Sequence, residues 1–220
     1  RDKHTDGCTP FLFRNNKKLK QKIMKQVIIT VLCAFAALCG YAQEKSGHLL
    51  FKGVPIDGTV NSFVQKMKQK GFTLEGNGEQ TAIMKGAFAG QKNCKVGIFR
   101  TVEKDLVFRV AVLFEAEKQW FMLEKTYLFL KEMLTKKYGK PSFSIEEFDS
   151  YSQPKDDMMK MLYAEQDRCK YGTKYETDEG VISLNISHMK IEYEDICRVV
   201  LVYTDNKNFS AAEESASDDL

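Results

Sequence analysis

Apolar positions recur along this chain with two distinct periods. Val60, Phe63, Val64 and Met67 fall at i, i+3, i+4 and i+7, one face of a helix, with Thr59 placed to cap its start and Gly71 to stop it. A short entry strand at His48–Lys52 precedes it, through the turn Gly53–Gly58. The period then shortens to two, predicting strands at 81–88, 94–101 and 106–114. In the last of these Phe108, Val110, Val112 and Phe114 alternate onto one face. A longer helix is predicted near 118–138. Trp120, Leu123, Tyr127, Leu130 and Leu134 form its stripe, Phe129 and Met133 widen it, and Gly139 and Pro141 end it. A short strand at 143–148 follows, then a short helix in PKDDMMKML from Pro154, then strands at 168–177, 181–188 and 194–203. The small, acidic tail 210–220 reads as disordered.

A helix followed by antiparallel strands, twice over, defines an α+β class in which antiparallel sheets carry helices packed on one face. The halves 43–115 and 116–209 read as a tandem repeat of a helix-plus-β-meander unit, the second with an inserted short helix. Phe63, Met67 and Lys70 match Phe129, Met133 and Lys136; CKVG at Cys94–Gly97 matches CKYG at Cys169–Gly172; FRVAVLF at Phe108–Phe114 matches CRVVLVY at Cys197–Tyr203. The alternative is that any two helix-plus-meander segments share such patterns.

Ahead of this lies an uncharged run, Gln26 to Gln43, in MKQVIITVLCAFAALCGYAQE. Its apolar core, Val27 to Leu38, is shorter than the ~20 residues of a membrane-spanning helix and fits a secretory h-region. Lys25 supplies a positive n-region, and Gly40 and Ala42 supply small residues before a cleavage between Ala42 and Gln43. Residues 24–42 thus read as a signal peptide, and residues 1–23 as an upstream or non-native extension or an unusually long basic n-region. The reading places the protein outside the cytoplasm, periplasmic or secreted. It also inverts the charge. The whole chain carries +3, but removing residues 1–42 takes away eight Lys/Arg and two Asp/Glu and leaves 25 basic against 28 acidic residues. A net negative chain without a basic patch argues against a nucleic-acid partner, and no segment after Gln43 is apolar enough to span a membrane.

Three cysteines follow the leader: Cys94, Cys169 and Cys197. Export permits a disulfide. Cys94 with Cys169 would staple the two halves, Cys169 with Cys197 would lie within the second, and three free thiols are the third reading. Their spacing matches no zinc pattern, and neither a metal nor a cofactor site is read anywhere. His48 and His188 could meet Cys94 or Cys197 only through the fold, so no catalytic residue is assigned. Glu146, Glu147 and Asp149, with Asp156 and Asp157, form the one acidic cluster that a carboxylate-dependent hydrolase could use; as turn and helix-start charges they need no further role. Met158, Met159 and Met161 stand on the inserted helix, where flexible thioethers suit an adaptable contact surface, and Trp120 opens the long helix. These four are the candidate interaction surface, their alternative reading being core packing.

The segments HLLFKGVPIDGTVNSFVQKMKQKGF, KEMLTKKYGKP, DRCKYGTKYETDEGVISLNI and VYTDNKN together resemble a group of uncharacterised exported proteins of the Bacteroidetes, over almost all of residues 45–220. The tandem topology is similar in outline to the beta-lactamase inhibitory protein fold, at the level of topology alone. The resemblance implies an exported α+β protein and brings no site residue with it. The function expected from these readings is that of an exported, non-enzymatic protein acting through a binding surface on a protein or small ligand of the cell envelope. The alternatives are the hydrolase and a structural part of an envelope assembly.

Overall fold

Local sequence sets the first helix as its pattern requires. In the structure, a computed structural model describing residues 47–217 other than Val102, α1 (Val60–Gln69) begins at Thr59, whose hydroxyl accepts the Ser62 N–H at 3.3 Å. It buries Val60, Phe63, Val64 and Met67. The leader and the segment before it lie outside the described residues. Ahead of α1, β1 (Leu50–Phe51) pairs with β2 (Val54–Pro55), so the entry strand is shorter than expected and the following turn carries a strand of its own. Then come β3 (Thr73–Asn77), β4 (Thr81–Phe88), β5 (Gln91–Arg100) and β6 (Val107–Leu113). The second half holds α2 (Trp120–Tyr138), β7 (Phe143–Phe148), α3 (Asp157–Glu165), β8 (Cys169–Glu176), β9 (Gly180–Ile191), β10 (Glu194–Asp205) and α4 (Asn206–Ser217).

β3 to β10 form one antiparallel sheet of eight strands in the order β3-β4-β5-β6-β10-β9-β8-β7. The two meanders are fused where β6 meets β10, with Val112 opposite Leu201 and Val110 opposite Tyr203. Alternation then decides the layers. Met84, Val96, Ile98, Val110, Val112, Ile182, Leu184, Val199 and Leu201 are buried on the face that α1, α2 and α3 cover. Arg109, Lys174, Asn185 and Ser187, at the alternate positions, take the other face. α4 packs at the end of the sheet against β6, β9 and β10. There the chain closes tightly: a Cβ on Gly180 would lie 2.3 Å from the Thr204 carbonyl oxygen, so only glycine fits opposite Asp205.

Several expectations change. The tail is not disordered from residue 210, because α4 runs through Ser217. Asp205 caps it by accepting the Asn208 N–H at 3.0 Å, and Ala211, Ala212 and Glu213 are good helix formers. β3 is a strand the sequence pattern did not predict; its side chains are largely exposed, and a bulge between Leu74 and Gly76 breaks its alternation. Phe129 and Met133 do not widen the buried stripe of α2 but are 44% and 49% exposed.

Each half supplies four strands of the eight-stranded sheet, but only one sequence match falls on topologically equivalent positions, β6 against β10. CKVG lies on the third strand of its half and CKYG on the second of the other. Phe63 and Met67 are fully buried where Phe129 and Met133 are not.

Candidate functional site

The long connection between β7 and β8 carries α3, whereas β3 and β4 are joined by a tight turn closed by the Gly78 N–H on the Thr81 carbonyl. α3 therefore has no counterpart in the first half. Asp156 starts it, its carboxylate accepting the Met159 N–H at 2.8 Å. The inner side, Met161 and Ala164, is buried. Met158, by contrast, is 80% exposed.

Between α3 and the start of α2 lies a groove of about 640 Å³. Asp157 at the start of α3 and Lys118 and Gln119 just before α2 line it together with Trp120 and Phe121, and Met158, Met161, Leu162 and Glu165 follow along α3. Those α3 positions are spaced i, i+3, i+4 and i+7, one helical stripe. Of the four residues read as a contact surface, Trp120, Met158 and Met161 meet at this groove; Met159, one step around α3, is not part of its wall. Lys118, Gln119, Phe121 and Glu165 were missed. The i, i+3, i+4, i+7 spacing on α3 is the signal that could have found Glu165.

Trp120 and Met161 are core residues that also line the groove. Trp120 is fully buried, its ring 4.9 Å from Phe148 and 5.0 Å from Tyr171. Tyr171 packs in turn on Tyr127, and Phe148 on Tyr163. Burial, helped by Glu124, raises the Tyr171 hydroxyl to about 12. Lys160 reaches over the Trp120 ring at 5.9 Å, a cation–π distance. The indole N–H of Trp120 has no hydrogen-bond partner among the described residues. A buried donor left unmade is costly.

The three thiols are free. Cys94 and Cys169 are four steps apart in the strand order, about 19 Å at roughly 4.8 Å per step, and Cys169 and Cys197 are two steps apart, about 10 Å. A disulfide needs Cα atoms within about 7 Å. Neither of these two pairings fits the strand order. Burial pushes Cys169 up to about 12 and Cys197 to about 11, and raises Cys94, so none is an activated thiolate.

His188 does lie opposite Cys197 in the β9–β10 ladder. Its ring is committed elsewhere: Nδ1 is 3.1 Å from Asp167 and Nε2 3.0 Å from Asp195. Burial alone would lower His188, but these carboxylates carry it above its ordinary value. His48 contacts Asp205 at 3.1 Å, at the far end of β10.

The acidic cluster disperses. Glu146 bonds Lys131, Asp149 pairs with Lys170 at 3.3 Å, and Asp156 caps α3. Asp157 alone of the cluster reaches the groove, joined there by Glu165. The two stand at opposite ends of α3, about 12 Å apart along its axis at 1.5 Å per residue; an acid pair working on a sugar sits about 5–9.5 Å apart.

Comparison of the chain with known protein families, with curated proteins and with solved structures finds no match.

Proposed function

We propose that this is an exported protein that acts by binding, through the groove between α2 and α3, rather than by catalysis. The observation that carries the reading is the convergence on one open groove of Met158, Met161 and Trp120, the last with an unpartnered indole N–H. Thioether and aromatic walls adapt to apolar partners of differing shape. Export rests on the leader, Met24 to Ala42, and on the resemblance to exported Bacteroidetes proteins; both come from the sequence.

The protein contains a single tryptophan, and it lines the groove. Its emission therefore reports occupancy directly. Titration with anilinonaphthalene sulfonate, an apolar anionic dye, is expected to change Trp120 emission saturably, and Met158→Asp is expected to weaken the response at least about fivefold with the fold intact. A titration that leaves Trp120 emission unchanged sinks the reading.

A further inference from the structure

The eight-stranded sheet ends in β3 on one side and β7 on the other, and the two edges are not alike. β3 is five residues long, contains Gly76 and breaks its register at the bulge beside Leu74. A short, bulged edge resists the addition of a further strand. β7 runs from Phe143 to Phe148 in unbroken register with β8.

The backbone groups of an edge strand point alternately toward its neighbour and away from it. Asp149 donates its N–H to the Arg168 carbonyl at 2.7 Å, so Phe143, Ile145 and Glu147, in step with it, turn theirs toward β8. Ser144, Glu146 and Phe148 turn theirs outward. Phe148 is answered within the chain. Its N–H donates to the Gln153 side-chain oxygen at 2.9 Å, and its carbonyl accepts the Gln153 amide at 2.8 Å. That side chain stands where a further strand would begin. The backbone N–H and C=O of Ser144 and Glu146 have no partner among the described residues.

We propose that β7 pairs antiparallel with β7 of a second copy of this chain, about a twofold axis at Ile145, joining the two sheets into one. Symmetry leaves few registers, and the open groups choose among them. Centred on Ile145, Ser144 stands opposite Glu146 of the second copy, and the two such pairs make four backbone bonds. Centred on Ser144, the outer partner would be Ser142, whose N–H is already given to the Lys174 carbonyl at 2.9 Å. Centred on Glu146, two carboxylates would face each other and Ser144 would meet the sealed Phe148.

The Ile145 register is also complementary in charge. Glu146 faces Ser144 and Glu147 faces Phe143, so no carboxylate opposes another. Glu146 points to the helix-covered face, a device that guards edges, but Lys131 neutralises it and bonds Ser144 as well. In the pair, Lys131 therefore also stands beside Glu146 of the second copy. Ile145 meets its own copy at the axis, and Phe143, 54% exposed, lies on the same face. Because the other edge is blunted, association stops at two copies. No groove residue lies on β7, so this surface is separate from the binding groove.

Sedimentation velocity over about 1–300 μM protein tests the pairing. Four backbone bonds make a small interface, so half-association is expected on the order of 10–100 μM, with no species beyond the dimer. Ile145→Lys sets two ammonium groups against each other at the axis and is expected to weaken association at least about tenfold. Circular dichroism confirms that the variant is folded. The register has its own readout. Ile145→Cys brings two thiols together with Cα atoms about 4.5 Å apart, within disulfide range, and oxidation by diamide is expected to link the copies. Phe143→Cys leaves its thiols about 13 Å apart along the strands and is expected to stay unlinked. Protein that remains monomeric throughout overturns the proposal and leaves the edge to a strand of another chain. A dimer indifferent to Ile145→Lys, or equal linkage of the two cysteine variants, overturns it as well.

Discussion

The His48 imidazole and the Asp205 carboxylate meet at 3.1 Å across 157 positions of chain. Asp205 is fully buried, and its two oxygens also accept the Leu49 N–H at 2.8 Å and the Asn208 N–H at 3.0 Å. Asn208 extends the network: its amide donates to the carbonyls of Ile56 and Val107 and to Asp57. Asp57 is held below its ordinary value, against the effect of burial, by the Gly58 N–H and Asn208. One cluster thus fastens the incoming chain, the end of the sheet and the start of α4 together.

Asp205→Ala removes the acceptor for two buried N–H groups at once, and the expected loss is about 3 kcal/mol or more. Asn208→Ala strips donors from two carbonyls and is expected to cost about 2 kcal/mol. Deleting residues 206–220 should destabilise as Asn208→Ala does, since Asn208 goes with it. A disordered tail would be removable without effect. Urea unfolding monitored by circular dichroism measures all three.

The clasp at His188 has a definite pH sense. Both ring nitrogens face carboxylate oxygens, which only accept, so the arrangement is complete only in the imidazolium. The folded-state value is raised, so the contribution is fully present below the ordinary histidine range and is lost as pH rises through the folded value. Wild-type stability should therefore fall slightly more than that of His188→Gln over this rise. The difference is expected to stay below about 1 kcal/mol, because Asp167 is largely exposed. A histidine C–H NMR titration that places His188 at or below the unperturbed value would refute the clasp.

Cys94, Cys169 and Cys197 should each be alkylated by iodoacetamide only in denaturant. Peptide mapping without reductant should recover all three unlinked. Raised thiol values and burial both slow the native reaction. A linked Cys169–Cys197 peptide would require β10 and β8 to approach across β9, contrary to the strand order.

Signals confined to a few neighbouring residues were legible in the sequence: the Thr59 cap and stripe of α1, the stripe of α2 and its stop at Gly139, and the burial of Val110 and Val112 in β6. Signals that depend on distant partners were not. Nothing local says that β6 pairs with β10, which turns two expected sheets into one. α4 looks like a polar tail until the buried Asp205 caps it and Asn208 finds acceptors more than 100 positions away. The residue types of the groove, Met158, Met161 and Trp120, stood out in the chain, but their convergence depends on how α3 lies against α2.

Tyr127 was read as a member of an apolar stripe, and it is buried there, yet its hydroxyl bonds Thr173 on β8. Burial holds that phenol well above its ordinary value. Tyr127→Phe leaves Thr173 with Ser144 as a neighbour at 3.3 Å, so the expected cost is about 1 kcal/mol. A double-mutant cycle with Thr173→Val should return a coupling of at least about 0.5 kcal/mol, as for residues in direct contact.

The stripe Trp120, Leu123, Tyr127, Leu130 and Leu134 read from the sequence is the side of α2 that the structure buries. Leu123, Leu130 and Leu134 face the sheet, while Phe121, Leu128, Phe129 and Met133 remain about half exposed. The phase of the helix is testable with two substitutions one residue apart. Phe129→Glu should change stability by no more than about 0.5 kcal/mol, as surface replacements do. Leu130→Ala opens a cavity under the helix and should cost about 2–5 kcal/mol. A reversed order would mean that α2 is rotated by roughly 100°, the angle between adjacent helical residues. That rotation would carry Trp120 out of its contacts with Phe148 and Tyr171 and dismantle the groove wall. The pair of unfolding curves therefore checks the packing of the core and the geometry of the candidate site together.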